Sequence, residues 1–303
     1  MGLDLSLGDC VILLSKEVKI MLRSEIQKET GLTRKAIEYY EDKGLIYPKK
    51  YDNGYRDYSA EDLEILKKVS IFRKLGMSIS DIGRYISSGG HTLSSVLREK
   101  QHQLVLDEKR KEILEMIVKG ESNELINEKV SLLEMEETIY EKLEIAFPGY
   151  FGQMLFAAYQ PFLNEPLEND GRDSFYEYIA YLDRLPSFEL TEEEKKYIEK
   201  ISSPFDMKTL KDVNQAKLDA VENPEKWMKD NEDAISSYES YKNSEEYQNS
   251  LMKQIQDKLK NFLKENQYYE IAIPLIRKFS KSYDEYYKKL LKANEQYLKN
   301  KNQ

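Results

Sequence analysis

A chain of 303 residues that is 40% hydrophobic and 33% charged is long enough for two domains with buried cores. One cysteine, Cys10, and two histidines exclude a disulfide framework and leave too few soft ligands for a thiolate metal site or an iron–sulfur cluster, even in a dimer. The net charge of −9 is unevenly divided: residues 21–90 carry 13 basic and 11 acidic side chains, whereas residues 91–303 carry 31 and 41, so only the first part suits a polyanionic partner.

In chain order, residues 1–20 stand apart. Their apolar run, Val11 to Leu14, is far too short to span a bilayer, and no basic start marks an export signal, so a cytoplasmic location without membrane attachment is expected. Gly2 with Ser6 matches a myristoylation pattern, but so short a pattern recurs by chance. Lys16-Glu17-Val18 can be encoded by AAGGAGGTG, which resembles a bacterial ribosome-binding sequence spaced from Met21. The expectation is therefore that residues 1–20 form an untranslated leader and that the product begins at Met21.

From there the pattern is helical. Ser24 with Gln27 reads as a capping box for a first short helix, and Gly31 sits where a tight corner is needed. Thr33 caps a second helix that turns Ala36, Ile37 and Tyr40 inward and Arg34, Lys35 and Glu38 outward, ending at Gly44. Residues 47–58 read as two short aromatic strands around a two-residue turn at Asn53-Gly54, with Lys49, Lys50 and Arg56 adding positive charge. A third helix follows Ser59, with Asp62 as capping acid and Leu63, Leu66, Val69 and Phe72 toward the core. Ser78 with Asp81 then caps a fourth through Tyr85. A helix-turn-helix followed at once by a hairpin is a winged helix, whose second helix can enter a major groove while the wing reaches flanking backbone.

The ordered motifs T-x-x-A-I-x-Y-Y-E-x-x-G-L-I, G-Y-R-x-Y and L-G-M-S-I-x-D-I, spread over Met21 to Ser88, resemble the DNA-binding domain of the MerR transcription regulators. The resemblance implies that Thr33, Arg34, Lys35 and Tyr39 lie at the groove and adjacent backbone, and that Arg56, with Lys49 and Lys50, meets phosphate from the wing. It also implies a homodimer on near-palindromic promoter DNA, with RNA polymerase as an indirect partner. One position departs from the family pattern: Glu38 stands where the family usually has arginine. A carboxylate there cannot hold a phosphate, so that contact is lost or moved to Lys35.

After Gly89-Gly90, Thr92 caps a long helix to about Lys119, before Gly120. Leu93, Val96, Leu97 and Leu104 lie at one end and Ile113, Leu114, Ile117 and Val118 at the other, with Asp107 to Lys111 charged between them. The resemblance makes residues 91–119 an antiparallel dimerisation helix of coiled-coil type; the alternative is a surface helix packed on its own C-terminal domain. Residues 121–303 read as all-helical. Caps are expected at Thr191, Asn223 and Ser244, an apolar stripe at Leu251, Ile255, Leu259 and Phe262 or Leu263, a helix start or kink at Pro274, and a loop over residues 164–174.

The expected fold is mainly α: a winged helix-turn-helix domain at 21–89 with a β-hairpin wing, a dimerisation helix at 91–119, and a helical effector or interaction domain at 121–303. Tyr150, Phe151, Phe156, Tyr159 and Tyr178, near Glu165 and Asp173, offer aromatic faces and acids suited to a small amphipathic cation, although aromatics at helical spacing describe core equally well. No enzyme and no cofactor are expected: no nucleophile–base pair or phosphate loop can be assembled, and His91 and His102 read as exposed linker-helix residues. The functional expectation is a regulator that responds to a non-metal effector. The alternative is a ligand-independent repressor or architectural DNA-binding protein whose helical domain docks another protein.

Overall fold

The computed structural model describes residues 21–87, 93–167 and 169–301. Expectations for residues 1–20, Gly89-Gly90, His91 and Thr92 lie outside them. The chain divides into two compact units, Met1–Gly89 and Gly90–Gln303.

The first unit runs α1 (Arg23–Thr30), α2 (Arg34–Asp42), β1 (Lys49–Lys50), β2 (Arg56–Asp57), α3 (Ala60–Lys74) and α4 (Ile79–Ser87). Ile26, Ile37, Ile46, Tyr58, Leu66, Val69 and Ile82 are fully excluded from water and form its core. The start of α1 differs from the expected Ser24–Gln27 box. Met21 pairs with Tyr58 in an isolated antiparallel bridge, which holds the chain extended as far as Leu22, and the helix begins one residue before Ser24. Glu25 then accepts from the Leu22 amide at 2.8 Å. The Ser59–Asp62 and Ser78–Asp81 caps form as expected.

The hairpin also differs in its turn. Lys49 pairs with Asp57 and Lys50 with Arg56, leaving Asp52, Asn53 and Gly54 in a three-residue loop instead of a two-residue turn. The Gly54 amide donates to Tyr51 O and the Tyr51 amide to Tyr55 O. Gly54, at φ 77°, takes the left-handed position after a turn centred on Asp52-Asn53, which a side chain would strain. The glycine is needed, but one position later in the turn than expected.

The second unit comprises α5 (Leu93–Lys119), α6 (Asn123–Ala146), α7 (Tyr150–Tyr159), α8 (Asn169–Arg184), α9 (Glu192–Ser202), α10 (Met207–Glu222), α11 (Pro224–Asp230), α12 (Glu232–Asn243), α13 (Glu245–Gln248), α14 (Leu251–Glu265), α15 (Ile273–Phe279) and α16 (Lys281–Lys301). A 3-10 turn, Gln160–Phe162, follows α7, and a π turn, Tyr268–Ala272, precedes α15, where Pro274 lies in the first turn. Thr191, Asn223 and Ser244 cap α9, α11 and α13. Ile255 is fully buried, with Leu251, Leu259 and Phe262 packed beside it. The loop expected over 164–174 is shorter, because α8 already begins at Asn169. Gly171 lies within that helix, where a Cβ would come to 3.4 Å from Phe279 Cα, so glycine here serves close packing of α8 on α15 and not a turn.

Two polar residues of α5 are buried against expectation or without warning from sequence. Arg98 is fully buried; it donates to Gln153 Oε1 at 2.5 Å, Phe205 O at 3.0 Å and Ser95 Oγ at 3.0 Å, and its guanidinium lies 5.4 Å from the Tyr150 ring centroid. His102, expected to be exposed, is 1% exposed, stacked on Tyr140 at 3.9 Å with Phe156 edge-on at 4.7 Å. The reason is packing: α5 lies along α6 and α7, so one face of a helix that reads as mostly polar is covered.

Burial depresses the His102 pKa to about 4, overriding the opposing pull of Glu136. A histidine held neutral in the fold but free to charge when unfolded stabilises fully above the ordinary value of 6.5 and loses that contribution as pH falls toward 4. We predict that stability of the full chain falls by roughly 3 kcal/mol across this window on account of His102. Urea titrations at several pH values should show a flatter dependence for His102→Phe; equal slopes would contradict the assignment.

Candidate nucleic-acid interface

α2 and the wing carry Arg34, Lys35, Lys49, Lys50 and Arg56, the basic residues expected at the interface. Thr33 Oγ1 accepts from the Ala36 amide at 3.2 Å and starts α2, whose first turn contains Arg34 and Lys35 and no acid. Helix N-termini favour negative charge, so two cations here work against the helix dipole and concentrate positive potential at one end. An approaching anion would meet both side chains together with unpaired backbone N–H groups. Lys35 is exposed and has no acidic partner among the described residues. Tyr39, also exposed, packs edge-on against the buried Tyr40 at 5.8 Å, with Lys43 Nζ 5.6 Å from its ring centroid.

Glu38 does not dangle as an isolated repulsive charge. It accepts from Arg34 Nε at 2.9 Å and pairs with Arg23 Nη1 of α1 at 3.1 Å. The hydrogen bond from Arg34 lowers its pKa, with Arg34 and Arg23 adding electrostatic stabilisation against a smaller opposing desolvation.

The wing is bound to α2 by one carboxylate. Glu41, with a side chain only 7% exposed, pairs with Lys50 Nζ at 2.8 Å and Arg56 Nε at 2.7 Å. Burial pushes the Glu41 pKa upward, but the bonds from Lys50 and Arg56 outweigh it and leave the group below its ordinary value. From the other side, Asp62 Oδ1 accepts the Tyr47 amide at 3.1 Å while its second oxygen completes the Ser59 cap, fixing the start of the wing to α3. Lys49 remains exposed, 5.2 Å from the Tyr51 ring centroid.

The expected basic residues thus stand in two states of engagement: Lys35 and Lys49 without an acid among the described residues, Arg34, Lys50 and Arg56 shared with Glu38 or Glu41. The aromatic effector set fares differently. Phe151, Phe156, Tyr159 and Tyr178 are buried core, Tyr159 Oη lies 2.6 Å from Tyr268 Oη, and Tyr150 covers Arg98. These rings pack against other rings: Phe151 against Phe188, Phe156 against His102 and Tyr140, Tyr159 against Tyr283, and Tyr178 against Phe279.

A family model described as MerR HTH family regulatory protein matches residues 21–89. The HTH-type transcriptional regulator YfmP of Bacillus subtilis (strain 168) is 32% identical over 132 residues, which is 43% of this chain and 89% of that protein. The chain belongs to the MerR family. It is accordingly a DNA-binding transcriptional regulator with a mainly α fold and a wing. Other MerR-type relatives match over less of their length: HmrR of Rhizobium leguminosarum bv. viciae is 46% identical over 57 residues, 19% of this chain and 44% of that protein. AdhR of Bacillus subtilis (strain 168) is 36% identical over 89 residues, 27% of this chain and 64% of that protein. No solved structure matches the chain.

Sequence reading passed over Tyr47, Tyr55 and Arg23. Tyr47 and Tyr55 are 81% and 61% exposed on the wing, and Arg23 reaches Glu38 from α1. Strand alternation, which puts Tyr47, Lys49 and Tyr51 on one face, was a signal for the first of them. The Arg23 contact had none, since it joins separate elements.

Because Glu41 is held below its ordinary value of 4.5, its contribution to wing stability is complete above that pH and is lost as pH falls through the depressed value. Glu41→Ala should reproduce the loosening at neutral pH, read as faster hydrogen exchange at the Tyr51 amide that bonds Tyr55 O. Unchanged exchange would show the wing to be held by other contacts.

Proposed function

We propose that this MerR-family regulator acts as a homodimer on near-palindromic promoter DNA, and that its C-terminal unit answers a small non-metal effector. The observation that carries the DNA contact is the acid-free first turn of α2, where Thr33, Arg34 and Lys35 form a cationic helix end. In this reading α2 enters a major groove with Tyr39 beside the backbone, while Lys49, Lys50 and Arg56 approach phosphate from the wing. Glu41 serves to preorganise Lys50 and Arg56, at the cost of competing with phosphate for them.

Dimerisation is supported by the two-faced character of α5. Val96, Arg98, His102, Leu106 and Ile113 are buried within the C-terminal unit, whereas Leu97, Leu104 and Val118, in one seven-residue register, stay 53%, 68% and 88% exposed. Leu114 and Ile117, 62% and 53% exposed, flank that row. An antiparallel partner would set Leu97 near Val118 of the second copy and leave the charged centre at the two-fold axis. Part of that charge is already used internally, since Lys109 pairs with Glu136 and Arg110 with Glu137.

A non-metal effector follows from the donor set: Cys10 is the only thiol and the two histidines the only imidazoles in the sequence, and His102 is stacked in the core. A cleft of about 220 Å³ lined by Ile113, Met116, Leu132, Leu133, Lys109 and Glu136 borders α5 directly. A ligand there would act on α5 itself, provided it binds one DNA-bound state better than the other. RNA polymerase would then sense the change through the shape of the promoter.

Two measurements test this. Arg56→Ala should weaken binding of all duplexes alike and reduce the salt slope by about one, since a phosphate contact carries no sequence information. Leu104→Glu should convert the dimer to a monomer in sedimentation and abolish cooperative operator occupancy. A monomeric wild-type chain, or promoter output that no small-molecule extract alters, would favour the ligand-independent alternative.

A further inference from the structure

The glutamate at position 38 carries an inference that deepens the proposed function and rests on its DNA-binding reading. Arg34 is the first residue of α2 and its side chain is 69% exposed. Its Nε donates to Glu38 Oε1 at 2.9 Å, and the same oxygen lies 3.1 Å from Arg23 Nη1, so the carboxylate is held from two helices at once. A guanidinium engaged at Nε keeps its plane and presents its remaining terminal donors as a fork. That fork matches O6 and N7 of guanine in the major groove. When the second helix of a helix-turn-helix docks, its N-terminal residues are the ones that reach base edges, and Arg34 occupies the first of these.

We propose that Arg34 reads a guanine in each half-site and that Glu38 is the positioning residue that aims it. The arrangement accounts for an acid on a surface that must approach phosphate. A carboxylate there repels the DNA backbone and lowers affinity for every sequence. Orienting one arginine offsets that loss with discrimination between bases, and Arg23 fixes the carboxylate so that little side-chain freedom is lost on binding.

The alternative, a surface ion pair with no role in recognition, makes a different forecast. Removing Glu38 would then raise affinity for all sequences equally by relieving repulsion, with base preference intact.

The test is selection of bound duplexes from a randomised double-stranded pool by the full chain, with helix content checked by circular dichroism. The wild type should enrich guanine at one position in each half-site. Arg34→Ala and Glu38→Ala should each reduce that preference about ten-fold at the same position, and the double variant should reduce it no further. Glu38→Gln, whose amide oxygen can still accept from Arg34 Nε, should retain most of it. A guanine preference that survives Glu38→Ala, or losses at two different positions, would overturn the inference while leaving the DNA-binding reading intact. A wild-type chain that enriches no sequence and binds without salt dependence would overturn both.

Discussion

A hairpin with two paired residues in each strand is at best marginally stable alone in water, so the wing depends on its anchors: Ile46 and Tyr58 buried at its ends, and two carboxylates that fasten it. Glu41 holds Lys50 and Arg56 from the α2 side, and Asp62 holds the Tyr47 amide from α3. The wing's contribution to a polyanion depends on that fastening, because Glu41, in the last turn of α2, fixes Lys50 and Arg56 against the helix before any partner arrives. The same bonds carry a cost. Each must loosen or be shared when phosphate approaches, so preorganisation and competition are two aspects of one carboxylate.

In the second unit the corresponding constraint is Arg98. A fully buried guanidinium must have its donors satisfied, and here they are met by Gln153 of α7, Ser95 of α5 itself and the carbonyls of Ser202 and Phe205 around the end of α9. The N-terminal half of α5 is therefore part of the C-terminal core and not a free strut. Glu199 reinforces this by accepting from the Ser94 amide at 2.9 Å. Movements within α7 or α9 cannot leave α5 unaffected, while its outward row of Leu97, Leu104 and Val118 stays available. One face of the helix anchors it within its own chain, and the other is the surface on which the proposed dimer rests.

The positions where sequence reading and structure part company share a cause. The Ser24 box was displaced because Met21 pairs with Tyr58, and Asn53-Gly54 moved within its turn because the strands paired in a different register. His102 was buried because α6 and α7 cover it, and four of the five aromatics became core because α6 and α10 pack on α7, and α15 on α8. In each case a local pattern had two valid readings, and a partner distant in sequence chose between them.

What the sequence determined by itself was the winged helix-turn-helix, since its caps, its glycine-bearing hairpin turn and its apolar spacing act within a few residues of one another. It also set the helical character of the remainder and the shortage of soft metal ligands, which are matters of periodicity and composition. Tertiary structure alone decided which charges are free: Lys35 has no acidic partner among the described residues, whereas Arg56 is held by Glu41 and Arg23 meets Glu38. Ion pairing across elements depends on three-dimensional distance, to which order along the chain is only a weak guide.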